Sequence, residues 1–177
     1  MRSLNILRAI VFAVAAGFLI FIQDHSISVG MNVLQFITAA LAVGGVVLYK
    51  IEEFSKEKSI LIVPSSIALG IALLTVGFGG FETSLENKVL LFRVLVATFA
   101  GSMAFAELVF ARKENSGERL ELRISSALGF LTVLVFAILP LDALNSVGMF
   151  SAYLSLSSVQ RALWAAGPND RKEKTNG

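Results

Sequence analysis

Arg8, Arg93 and Glu107 fall inside otherwise apolar runs of this 177-residue sequence. A charge at membrane depth is a functional candidate by default, because it must be paired, hydrated or drawn to the surface. Ser151, Ser155 and Ser158 add a hydroxyl stripe about one helical turn apart. Such a stripe either bonds and packs between helices or walls a polar path. These six positions are the candidate functional polar residues.

The chemistry open to them depends on depth. At ~1.5 Å of rise per residue, Arg8 lies ~7.5 Å, Arg93 ~9 Å and Glu107 ~12 Å from the middle of its apolar segment. None is central. Arginines at such depths reach the interface along their aliphatic stems, so Arg8 and Arg93 are expected to act as anchors. Glu107 is expected to form an ion pair with Arg8, Arg123 or Arg161; the alternative is a proton-responsive carboxylate, as an acid sensor would need. His25, in a loop, is the one histidine and is expected to be solvated.

Other chemistries lack their residues. There is no cysteine, which excludes disulfides, thiolate ligands and cysteine nucleophiles, and one histidine excludes a multi-histidine metal site. No Walker-type loop, His-Glu-x-x-His or Gly-x-Ser-x-Gly motif occurs. Gly77-Phe78-Gly79-Gly80 reads as an exit turn at a helix end. No catalytic, cofactor or metal site is expected, and no enzyme activity. The basic residues are scattered among glutamates, which gives no nucleic-acid surface.

The elements that position these residues follow from composition. The chain is 55% hydrophobic and 16% charged, with mean hydropathy +0.76. Soluble domains carry about 25% charged residues. Lipid must therefore solvate much of this chain, and a helix needs roughly 20 apolar residues to cross it. Six segments qualify: 4–22, 27–49, 60–81, 89–110, 124–139 and 144–164. Pro140 breaks the chain between the last two, and Asp142 is placed to cap the sixth. The first segment is expected to remain as a helix, because its apolar run continues through Phe18–Ile22 without a cleavage site.

Basic residues near helix ends favour the cytoplasm. Arg2, Arg8, Lys50, Lys56, Lys58, Arg112, Lys113, Arg119, Arg123, Arg161, Arg171, Lys172 and Lys174 fall on one side, 13 of the 15. Only Lys88 and Arg93 fall on the other. Both termini are thus expected in the cytoplasm. The polar tail 167–177 is expected to be disordered, after a six-helix domain over 1–166.

Short matches point to an internal repeat. Ser28-Val-Gly-Met31 recurs as Ser146-Val-Gly-Met149 after 118 residues, and Ala68-Leu-Gly70 as Ala127-Leu-Gly129 after 59, half that period. The expected fold is an all-α membrane protein of six transmembrane helices, built as three parallel-repeat hairpins at about 4–50, 59–112 and 118–165. Each helix carries a small-residue pair at i, i+4: Ala13/Gly17, Ala40/Gly44, Ser66/Gly70, Ala97/Gly101, Ser125/Gly129 and Ser151/Ser155. Such pairs let helices approach closely in lipid.

This pattern resembles the HdeD-like small membrane proteins, also called domain of unknown function 308. The resemblance covers about residues 4–165. It is most specific in Ser126-Ala-Leu-Gly129, Ile138-Leu-Pro-Leu-Asp-Ala143, Ser146-Val-Gly-Met149 and Ser151-Ala-Tyr153. Leu7-Arg-Ala-Ile10, Gly17 and Ser28-Val-Gly30 are similar in the first hairpin, although Gln23-Asp24-His25 stands where the family has a proline. The second hairpin matches weakly. The resemblance implies a multi-pass bacterial inner-membrane protein, with a role in acid or envelope stress and no defined biochemical activity. Its expected partners are the lipid bilayer and a second copy or another membrane protein. The alternative is a small transporter or channel subunit with a polar path along helix six.

Overall fold

The computed structural model describes residues 2–51, 58–79, 84–112 and 116–166. The tail 167–177, expected to be disordered, lies outside the described residues, as do Lys56, Glu82 and Lys113 from the loops. The described residues form six helices and no strand: α1 (Arg2–Phe21), α2 (Ile27–Ile51), α3 (Lys58–Gly79), α4 (Leu85–Ala111), α5 (Ser116–Ile138) and α6 (Ala143–Ala166).

Helix starts follow local capping chemistry. Ser84 Oγ accepts from Asn87 N at the start of α4, and Asp142 Oδ1 accepts from Asn145 N (2.8 Å) at the start of α6. At α2 the capping oxygen belongs to Ser26, which Asp24 holds through its backbone N–H and hydroxyl. Two expected boundaries move. α5 begins at Ser116, two turns before the apolar run at 124, because a helix bonds its own backbone whether water or lipid surrounds it. α3 stays helical to Gly79, so most of the expected glycine exit turn is its last turn.

Among the described residues, Ile27–Leu48, Leu85–Ala111 and Arg119–Ile138 are long and apolar enough to cross a membrane. Asn5–Phe21 and Val63–Gly77 are shorter apolar helices. Large apolar side chains are exposed all round the bundle, among them Phe21 (87%), Leu73 (64%) and Leu163 (68%). A surface of this kind is a liability in water and ordinary in lipid.

The most extensive packing is not within the expected hairpins. α4 lies most extensively against α5, α1 against α6 and α2 against α3, whereas α1·α2, α3·α4 and α5·α6 touch less. α2, α4 and α6 also meet one another. Their junction is tight at Gly30, where an added Cβ would lie 2.9 Å from Phe92 and 3.0 Å from Val147. The middle of the bundle is filled by aromatic rings. Phe92 meets Phe150 edge-on at 5.6 Å, and Phe12 meets Phe99 edge-on at 6.4 Å.

Close helix approach uses only some of the expected small-residue pairs. An added Cβ at Gly129 would lie 2.7 Å from Ala104 Cβ and 2.9 Å from the Ala100 carbonyl oxygen, so α4 and α5 touch backbone to backbone. Gly44 packs equally hard on Leu7, and Gly101 faces Val133. Ala13/Gly17 and Ser66/Gly70 instead face outward: Ala13 and Ser66 are exposed, and neither glycine has a neighbour within 4 Å. In α1 and α3 the close contacts pass to Ala15, Ala16, Ala68 and Ala72.

Candidate functional site

Four helices converge on a buried ion cluster at the end of the bundle where α1 begins and α6 finishes. α1 presents Asn5, Arg8 and Phe12 on one face by their i, i+3, i+7 spacing, all buried. α4 presents Phe99, Met103 and Glu107 at i, i+4, i+8, again all buried. α6 brings in the buried Ser157 and Arg161 near its end, and the early turns of α5 bring in Glu121 and Ser125.

Glu107 Oε1 is the hub. It accepts from Arg8 NH1 (2.8 Å) and from Arg161 NH2 (2.6 Å). The three residues are only 3–6% exposed, so water does not screen them. Arg161 NH2 also donates to Ser125 Oγ (2.8 Å), and its NH1 donates to Asn5 Oδ1 (3.4 Å). Asn5 Nδ2 donates to Glu121 Oε1, which links a second carboxylate to the cluster. Phe12 lies with its ring centroid 5.9 Å from the Arg161 guanidinium, and Met103 Sδ sits 3.9 Å from Arg8 NH2. Arg161 Nε and Gln160 Oε1 are buried without a hydrogen-bond partner among the described residues.

Burying an ion costs several kcal/mol even after relaxation, and only good geometry and further hydrogen bonds offset it. Here two cations share one carboxylate, and Asn5 relays the excess positive charge toward Glu121. Among the described residues the Glu107 carboxylate is held by two guanidinium groups, and the Ser125 hydroxyl accepts from Arg161. Among the described residues no three His, Cys, Asp or Glu side chains gather as a metal site.

The candidate residues separate. Glu107 and Arg8 meet, and of the three expected partners Arg8 and Arg161 both bind Glu107, while Arg123 is exposed and outside the cluster. Arg8 is a correction to the anchoring expectation: its guanidinium turns inward, because α4 presents the buried Glu107 carboxylate at 2.8 Å. Arg93 stands at the opposite end. Its Nε (3.1 Å) and NH2 (2.7 Å) donate to the Phe136 carbonyl, and NH2 also donates to Leu139 O (2.6 Å). It thereby caps the C-terminus of α5 with positive charge, where the helix dipole favours it.

Ser155 and Ser158 bond within their own helix. Ser155 Oγ donates to Ser151 O (2.9 Å) and Ser158 Oγ to Ser155 O (2.8 Å). Sequence reasoning missed Asn5, Glu121 and Gln160, and took Ser125 only for a packing residue. Asn5 sits one turn from Arg8, and Glu121 one turn from Ser125, but this signal has meaning only once α1, α5 and α6 are known to adjoin. Neither a family model, nor a curated protein, nor a solved structure matches this chain.

Proposed function

We propose that this chain is a six-span bacterial inner-membrane protein of the HdeD-like kind. Both termini face the cytoplasm, and the chain acts without catalysis in acid or envelope stress, through self-association or a membrane-protein partner. The observation that carries this reading is the closed ion cluster of Arg8, Glu107 and Arg161 below an aromatic-filled middle. Such a bundle is built to be held shut at one end and packed along its length.

Two further features support the architecture. In the pairings α2·α3, α4·α5 and α6·α1, the second helix of each hairpin packs on the first helix of the next, as a closed ring of three repeats requires. The cluster itself occupies only one of the three seams. A 59-residue shift carries Arg8 to Ile67 and Glu107 to Ala166, and a 118-residue shift carries Arg8 to Ser126, so the charges are not repeated.

Topology is testable directly, because the chain has no cysteine. Gln23→Cys and Asn87→Cys are expected to react with an impermeant maleimide on intact cells, and Lys50→Cys and Arg112→Cys only after lysis. The reverse pattern would refute the orientation. For function, reconstituted protein is expected to pass no ions or small solutes across proteoliposomes, while Glu107→Gln abolishes any protection of acid-challenged cells. Solute flux that stops with Ser151→Phe or Ser155→Phe would replace this reading with the transporter alternative.

A further inference from the structure

At the end opposite the ion cluster, an open groove of about 880 Å³ runs between the first turns of α4 and the turn joining α5 to α6. Its size falls in the range of ligand sites, roughly 300–1,000 Å³. Val89 and Leu141 form apolar wall, and Leu90 and Leu144, 58% and 60% exposed, open it sideways along the bundle surface. Arg93 lies in its floor, while Glu86 and Asp142 stand exposed on its rim.

The charges of this groove are not matched internally. Arg93 uses Nε and NH2 on the α5 carbonyls, which leaves the NH1 donors without a partner among the described residues. No carboxylate among the described residues lies within 4.0 Å of it. Asp142 uses Oδ1 to cap α6, and neither it nor Glu86 is ion-paired with a described residue. A cation therefore sits below two carboxylates, with an apolar wall beside them that opens toward lipid.

We propose that the groove seats a glycerophospholipid with a primary-amine headgroup. The phosphate accepts from Arg93 NH1, the ammonium donates to Glu86 and Asp142, and the acyl chains lie along Leu90 and Leu144. Arginine suits a phosphate because its planar fork donates from several N–H groups at once. A headgroup with phosphate alone would meet two unanswered carboxylates, and a quaternary amine has no N–H to donate to them. The assignment rests on the six-span reading, which puts this groove at the outer leaflet.

The test uses the full chain in mild detergent with an equimolar mixture of phosphatidylethanolamine, phosphatidylglycerol and phosphatidylcholine, and native mass spectrometry as the readout. The wild type is expected to retain phosphatidylethanolamine about tenfold over the other two, equivalent to ~1.4 kcal/mol. Arg93→Gln is expected to lose that retention. Should it unfold, the decision passes to two variants that leave the α5 cap alone. Glu86→Gln with Asp142→Asn keeps a good capping residue and is expected to shift preference toward phosphatidylglycerol. Leu144→Trp fills the groove and is expected to lower retention of every lipid. Equal retention of all three lipids by the wild type and Leu144→Trp would overturn the proposal. So would a wild-type preference for phosphatidylglycerol, or displacement of the lipid by soluble glycerophosphoethanolamine. Maleimide labelling at position 23 reads the orientation independently, so a failed topology and a failed lipid site remain distinguishable.

Discussion

Arg161 NH2 and Glu107 Oε1 meet at 2.6 Å inside the bundle, 54 residues apart in the chain. The pair joins the end of α6 to the end of α4, and Arg8 at 2.8 Å draws in the start of α1. Three helices that are not consecutive are thus pinned at one level by one carboxylate oxygen.

Removing that carboxylate strands two guanidinium groups against each other. Glu107→Leu is expected to cost about 3–5 kcal/mol, as for other broken buried pairs. Unfolding in mixed micelles, followed by the fluorescence of Trp164, measures the loss. Replacing all three central charges (Arg8→Met, Glu107→Leu, Arg161→Met) is expected to restore stability to the wild-type level or above. An unchanged Glu107→Leu midpoint would mean that the cluster carries no structural weight.

Arg93 holds the last carbonyls of α5. Hydrogen bonds to a charged group contribute about 1.5–3 kcal/mol, so Arg93→Ala is expected to lose an amount in that range. The loss is local. Hydrogen exchange at the amides of Phe136–Leu139 should accelerate while the middle of α5 stays protected. Uniform acceleration along α5 would assign Arg93 a different role.

Glycines with and without neighbours should respond oppositely to a methyl group. At Gly129 the added carbon meets the Ala100 carbonyl oxygen at 2.9 Å, and backbone cannot turn aside. Gly129→Ala is expected to destabilise by about 1–3 kcal/mol. Gly70 has nothing within 4 Å, so Gly70→Ala is expected to be neutral or to gain up to ~1 kcal/mol of helix propensity. Thermal midpoints of the two variants in one detergent decide the matter.

Ser155 and Ser158 hydrogen-bond carbonyls of α6 itself. Removing these hydroxyls loses no tie between helices. Ser155→Ala and Ser158→Ala are each expected to stay within about 0.5 kcal/mol of the wild type. A larger loss would point to bonds across helices in the folded membrane state.

Much of the helix content was open to reading from composition and capping residues. The break at Pro140 and the Asp142 cap appear where the chain order of α5 and α6 demands them. Boundaries slipped where polar residues continue a helix beyond the apolar run, as from Ser116 to Arg123. The ion cluster was half visible. Arg8 and Arg161 both stood among the expected partners of Glu107, yet the sequence offered no reason for both to bind at once, nor for Asn5 and Glu121 to join them.

What the sequence alone determined is which stretches must be helical and apolar. In hydrocarbon each segment has to satisfy its own backbone groups, and that demand leaves a mark in every run of residues. What only the tertiary structure decided is how each helix is rotated and which helices adjoin. Lipid tails and a packed protein interior are about equally apolar, so hydropathy cannot tell an outward pair such as Ala13/Gly17 from a packed one such as Ala40/Gly44. Only once the bundle assembles does Arg8 of α1 meet the Glu107 carboxylate of α4, and the arginine then turns inward instead of acting as an anchor.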